Sequence, residues 1–278
     1  MQIPGMTALV TGASSGIGAA TAQALAARGA HVLLLARDRD RDRDRDRERL
    51  AAVALVIRTQ SGRAVVYPVD LSDPNPVAAV AKAVLKDTGA LDILVNNAGA
   101  GRRLSVLETS PDELQQMMAL PFFAAFNLTR EFLPAMRQRG SGRIVNVTSV
   151  ASRLVWPGAT AYTAARCAVD ALTKGLRLEL AGSGIGVTLA MFGTVDSEYW
   201  KHNHGSRERL PGIAAMARTL TPDEVGAAIV SGVERNRRLV LRPGIYYVIL
   251  VMSTLFPWVT EWLTRSTGWR DKSAKQPS

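Results

Sequence analysis

Seven runs of strand length recur along the 278-residue chain, at 6–11, 31–36, 64–69, 91–96, 143–149, 186–191 and 239–241, rich in Val, Ile and Leu and without polar alternation. Continuous apolar runs suit strands covered on both faces, because a strand with one wet face shows a period of two. Longer helical patterns separate them, over 16–28, 47–60, 74–88, 111–139, 160–181 and 222–236. Repeated strand–helix–strand units call for a parallel sheet joined by right-handed crossovers. The expected fold class is therefore α/β, with seven parallel strands and helices on both faces.

A chain that is 47% hydrophobic and 21% charged can bury a real core. Since α/β folds often run to about 250 residues as one domain, residues 1–243 are expected to form one domain and 244–278 an apolar, then basic, C-terminal extension. Within that extension, Pro257 and Glu261 make 245–263 a poor membrane span. An apolar stretch flanked by Arg242 and by Arg265, Arg270, Lys272 and Lys275 suits attachment to a membrane surface. The favoured alternative is a helix that covers a pocket or a subunit interface.

The net charge of +10 is concentrated late in the chain, where 201–278 holds twelve Lys/Arg against six Asp/Glu. The Arg-Asp alternation at 37–49 is nearly neutral, with seven arginines facing five aspartates and Glu48. Its period of two places like charges four residues apart, so it is expected to be a solvated extension before Leu50. It has no aromatic residues for base stacking, and no nucleic-acid partner is expected. Cys167 is the single cysteine, which excludes an intramolecular disulfide and a cysteine-rich zinc site. The N-terminus lacks a basic region and a long apolar run before Thr11, so no signal peptide is expected, and a cytoplasmic location follows, with the membrane surface as the alternative.

Chemistry enters at Thr11-Gly12-Ala13-Ser14-Ser15-Gly16-Ile17-Gly18, between the first strand and the first helix. Glycines at 12, 16 and 18 let the backbone turn tightly and let a pyrophosphate approach the helix N-terminus, where free N–H groups and the helix dipole favour anions. Ser14, Ser15 and Ile17 complete this candidate dinucleotide site.

With this turn, Asn96-Asn97-Ala98-Gly99 after the fourth strand, and Tyr162 with Ser149 thirteen residues before it, the chain resembles the short-chain dehydrogenase/reductase family over about residues 5–242. The resemblance implies a Rossmann-like doubly wound sheet in the order 3-2-1-4-5-6-7, a nicotinamide cofactor, and hydride transfer between an alcohol and a carbonyl. It implies cofactor contacts from Asn97, Ala98 and Gly99, from Asp70 and Leu71 at the adenine, and from Gly193, Val195 and Ser197 after the sixth strand. It also implies Tyr162 as acid/base, Ser149 as partner of the substrate oxygen, and a homo-oligomer built through the long helices. The second strand ends Leu35-Ala36-Arg37 without an acidic residue to bind the ribose hydroxyls, so Arg37 favours NADP(H) over NAD(H) through a 2′-phosphate.

The chain departs from the family pattern in three places. Arg166 stands four residues after Tyr162, where the family has lysine; it keeps the positive charge beside the tyrosine and the nicotinamide ribose, but not a titrating ammonium. Pro121 stands where the family has a catalytic asparagine and is expected to bend the helix, and Phe192 replaces a proline before Gly193. Leu154, Trp156, Tyr199, Trp200 and the C-terminal aromatics are expected to line a pocket for an apolar, lipid-like carbonyl or alcohol, and 201–210 to form a lid. His202 and His204 are expected to be surface residues, with no metal site. Two functions remain open: an NADP-dependent oxidoreductase, or a nucleotide-binding protein with little catalysis that acts as a membrane-surface or partner-binding scaffold.

Overall fold

A computed structural model describes residues 2–36 and 43–268. The seven strands are β1 (Thr7–Thr11), β2 (His31–Ala36), β3 (Arg63–Pro68), β4 (Ile93–Asn96), β5 (Gly142–Ser149), β6 (Ile185–Phe192) and β7 (Leu239–Arg242). They form one parallel sheet in the order β3-β2-β1-β4-β5-β6-β7. Strand side chains point alternately to the two faces, and both faces are dry. On one face Ala8 and Val10 join Val32, Leu34, Ile93 and Val95; on the other Leu9 joins Leu33, Leu35 and Leu94. That two-sided burial is why the strand sequences carry no polar alternation.

Helices α1 (Gly16–Ala26), α2 (Arg43–Thr59) and α8 (Pro222–Glu234) supply Leu25, Ile57, Ile229 and Val233 to the first layer. Helices α3 (Pro74–Thr88), α5 (Ala124–Arg139) and α6 (Thr160–Glu179) supply Val84, Phe132 and Leu176 to the second. Their ends follow local rules. Asp73 caps α3 by accepting from the Asn75 N–H at 2.8 Å, Gly89 ends it at φ +71°, and Thr221 with Glu224 forms a reciprocal capping box on α8. The sheet order reverses direction between β1 and β4, which opens a crevice at the carboxyl ends of the strands.

Three boundaries differ from the sequence expectation. The single helix expected over 111–139 is two, α4 (Pro111–Met118) and α5, separated by a π-helical turn, Ala119–Phe123, with buried Pro121 inside it. Proline has no N–H to donate and its ring crowds the preceding turn, so the ladder widens there. Helix α2 begins at Arg43, four residues before the expected 47, so it takes up the end of the Arg-Asp alternation that was read as a solvated extension; Arg37 lies outside the described residues. The apolar extension forms two helices, α9 (Ile245–Leu255) and α10 (Pro257–Thr267), bent by 114° at Phe256-Pro257. No single helix among the described residues is long and apolar enough to cross a membrane.

Tyr246 and Ile249 of α9 pack with Trp156, Tyr162, Met191 and Leu241 in a third apolar cluster. The extension is thereby seated on the domain, while Val248, Val251, Leu255, Trp258 and Trp262 remain exposed on its outer side.

Candidate active site

The crevice is a cleft of about 330 Å³. It is lined by Gly12, Ser14, Ser15, Gly16, Ile17, Leu71, Asn97, Ala98, Gly99, Ser149, Tyr162, Arg166, Gly193, Val195 and Ser197. The structure thus brings together segments that follow five strands, β1, β3, β4, β5 and β6. Gly18 and Asp70 are not among the lining residues: Gly18 packs on Gly12 and Asn97, and the Asp70 carboxylate accepts from the backbone N–H and hydroxyl of Ser72, at 2.9 and 2.6 Å.

At the anion end, Gly12 and Gly16 take φ of +64° and +53°, and a Cβ on Gly18 would stand 2.0 Å from the Gly12 carbonyl oxygen. Only glycines allow this path. Ser15 caps α1 in an extended conformation with no side-chain bond, leaving the N–H groups of the first turn without a side-chain partner. An open helix N-terminus beneath a glycine turn fits the pyrophosphate of a dinucleotide. Across the seam, the Thr11 hydroxyl accepts from the backbone N–H groups of Asn97 and Ala98 at 2.9 and 2.8 Å, and Asn97 Nδ2 donates to the Thr11 carbonyl at 3.0 Å. Asn96, beside them in sequence, is turned inward instead and donates to Asn146 Oδ1 at 2.8 Å.

At the other end stands Tyr162, buried in the first turns of α6. Arg166 follows one helical turn later, its Cζ 4.9 Å from the Tyr162 ring centroid. A Cβ on Gly99 would meet both terminal guanidinium nitrogens at 2.9–3.0 Å, so the glycine after Ala98 makes room for the arginine. A second guanidinium, that of Arg103, lies 4.9 Å from the same ring. Burial raises the Tyr162 phenol, but Arg166 and Arg103, with hydrogen bonds to Ser149 and Arg166, outweigh it and hold its pKa below the ordinary value. The site can therefore hold or release a proton at Tyr162 Oη, with Ser149 Oγ beside it.

The segment after β6, which carries the short helix α7 (Tyr199–His202), closes over this end. Trp200 donates to the Val195 carbonyl at 2.7 Å, Tyr199 donates to the Gly101 carbonyl, and Asn203 and Ser206 are buried where a lid was expected. Burial and nearby Tyr162 push the Tyr199 phenol up. Glu198 pairs with Arg49 of α2 at 3.3 Å across the cleft. His204 is exposed, and among the described residues no group of three His, Cys, Asp or Glu side chains gathers to hold a metal ion.

Arg103 and Arg49 were not singled out by the sequence. For Arg103 the only signal is the Arg102-Arg103 pair shortly after Gly99. Arg102 turns outward to Glu113 at 3.4 Å, while its neighbour turns inward.

A Rossmann-like sheet whose first turn fits a dinucleotide defines a class, that of doubly wound dinucleotide-binding folds. The family model for short chain dehydrogenases matches residues 6–207. The chain belongs to the short-chain dehydrogenase/reductase family. It is 38% identical over 245 residues to an uncharacterized oxidoreductase of Mycobacterium bovis, an alignment covering 85% of this chain and 66% of that protein. This chain thus spans just under two thirds of that relative. A metagenomic short-chain oxidoreductase solved with NADP is 32% identical, with a TM-score of 0.68 over 83% of this chain and 91% of that one. A Burkholderia phymatum member solved with NAD shares the fold, with a TM-score of 0.81 at 22% identity over 94% and 97% of the two chains.

The electrostatics give a direct test. Arg166→Met removes a cation that both faces and hydrogen-bonds the phenol, so the Tyr162 pKa should move upward, toward the ordinary value near 10. Ultraviolet difference titration against Tyr162→Phe as the blank measures it; an unchanged midpoint would assign the depression to other groups.

Proposed function

We propose that this chain is an NADP(H)-dependent oxidoreductase acting on the carbonyl or alcohol carbon of an apolar substrate. The observation that carries the reading is Tyr162, buried beside Ser149 between two guanidinium groups, at the far end of a cleft that begins at the glycine turn. The bound nicotinamide supplies or accepts the hydride. In the reducing direction Ser149 holds the carbonyl oxygen and Tyr162 Oη gives it a proton, leaving a phenolate that the two cations stabilise; in the oxidising direction that phenolate takes the alcohol proton. Arg166 also stands where the family's lysine meets the nicotinamide ribose.

Arg37 follows the end of β2, where no acidic residue awaits the ribose hydroxyls, and Arg49 lines the cleft beside Ala36. Both charges support a 2′-phosphate, hence NADP(H). The substrate reading rests on a recess next to Ser149, walled by Val150, Leu154, Trp156, Leu210 and Tyr246 and roofed by Thr260 and Thr264 of α10. The same two helices that close this apolar recess expose Trp258, Trp262 and Leu255 outward. That arrangement supports a lipid-like substrate met at a membrane surface. Exposed Phe123 and Phe126 of the α4–α5 region support association with a second copy.

Three outcomes are expected. Tyr162→Phe should abolish single-turnover hydride transfer to a panel of apolar carbonyls while leaving NADPH affinity nearly intact; undiminished transfer would assign the chemistry to another residue, and no transfer by the unaltered protein would favour the binding-scaffold reading. NADPH should bind more tightly than NADH, and Arg37→Ala should narrow the gap by about 1–3 kcal/mol, as measured by calorimetry. Removing residues 244–278 should release the protein from anionic vesicles, and salt should weaken the native binding, since basic side chains contribute about 1 kcal/mol each at such a surface.

A further inference from the structure

Two guanidinium groups flank Tyr162, and one phenolate can balance only one of them. Arg103 is the cation left over. It is 5% exposed, and its Cζ stands 4.8 Å from the Trp200 ring centroid and 5.9 Å from that of Trp156, besides 4.9 Å from Tyr162. Among the described residues no carboxylate forms an ion pair with it. Its backbone N–H donates to Ser206 Oγ at 3.0 Å and Nη1 donates to the Ser206 carbonyl at 3.3 Å, while Nε has no partner.

A cation buried without a counter-charge is costly, and an orphaned buried N–H adds to the cost. Aromatic faces offset only part of it. The rest is recovered if an anion arrives with a ligand. Arg103 borders both the cleft and the apolar recess, and Ser149 is shared by the same two cavities. The guanidinium therefore stands close to Ser149, where the main cleft meets a small apolar recess of about 30 Å³. With Nη1 engaged by Ser206, the edge carrying Nε remains for a planar acceptor, the side-on geometry in which arginine takes a carboxylate.

We propose that Arg103 is a substrate-binding residue that pairs with a carboxylate, so that the substrate is an apolar oxo acid, or the corresponding hydroxy acid, and not a neutral ketone. The proposal rests on the oxidoreductase reading for its chemistry, but the carboxylate site can be tested without turnover. The Trp156 and Trp200 rings beside Arg103 serve as reporters.

The full chain loaded with NADPH is titrated with decanoate and with decanol below micelle formation, following tryptophan fluorescence. Decanoate should bind about ten- to a hundredfold more tightly than decanol, the range for hydrogen bonds to a charged group. Arg103→Met should erase that ratio and Arg103→Lys should keep part of it. In kinetics, kcat/KM for an oxodecanoate relative to the methyl ketone of the same length should show the same preference, and the ratio should collapse in Arg103→Met whatever happens to the absolute rate. Equal binding of acid and alcohol by the unaltered protein, or a preference that survives Arg103→Met, overturns the proposal. Should Arg103→Met fail to fold, the unaltered protein and Arg103→Lys still decide it. Decanoate selectivity without any carbonyl reduction would sink the oxidoreductase reading and leave the anion site standing; reduction without acid selectivity would do the reverse.

Discussion

The seam between β1 and β4 carries the rest of the site. There the strand order reverses, and the Thr11 hydroxyl spans the gap, accepting from Asn97 and Ala98 and donating to the Val95 carbonyl at 3.3 Å. Asn97 Nδ2 closes the loop by donating to the Thr11 carbonyl. Buried backbone groups must find partners, and here a single hydroxyl satisfies the two that a splayed seam would strand. Because the seam is pinned, the glycine turn on one side and Gly99 on the other are held at fixed separation, and Arg166 can enter the space that Gly99 leaves open.

Much of the chemistry then follows from charge in a dry place. A buried phenol by itself resists ionisation. Placing Tyr162 between Arg166 and Arg103 reverses that, and the environment rather than the residue type decides its proton affinity. Lysine would deliver its charge from one compact point; the planar guanidinium of Arg166 spreads it and needs a flat slot, which the missing side chain at position 99 supplies. The change from the family's lysine is thus compatible with the neighbouring backbone as it stands.

The legible part of the molecule is the part encoded locally. Strand positions could be seen because both faces are buried and the apolar runs are continuous, and the glycine turn, Ser149 and Tyr162, which line one cleft, could be picked out because they stand at short, recognisable spacings. Pro121 announced a break, but whether the helix would kink, stop or widen into a π turn depends on what packs around it. Arg103 was invisible for a related reason: its inward orientation is made by Trp156, Trp200 and Ser206, which are remote in sequence. Asn96 illustrates the converse, since a residue within a recognisable motif turns out to tie β4 to Asn146 in the core. The bend between α9 and α10 was written in Pro257, yet where the two helices come to rest was not.

Gly193 shows what that resting place entails. A Cβ at this position would stand 2.5 Å from the Tyr246 ring, so the tyrosine of α9 occupies the volume that a side chain after β6 would otherwise fill. Part of the recess wall is thereby borrowed from a segment that contributes nothing to the sheet and, beside Tyr162, only apolar packing. Tyr246, Thr260 and Thr264 of the last helices thus complete a recess whose other walls, Val150, Leu154 and Trp156, follow β5. A different pair of last helices would reshape one side of that recess while leaving the sheet, Ser149, Arg103 and Arg166 where they are.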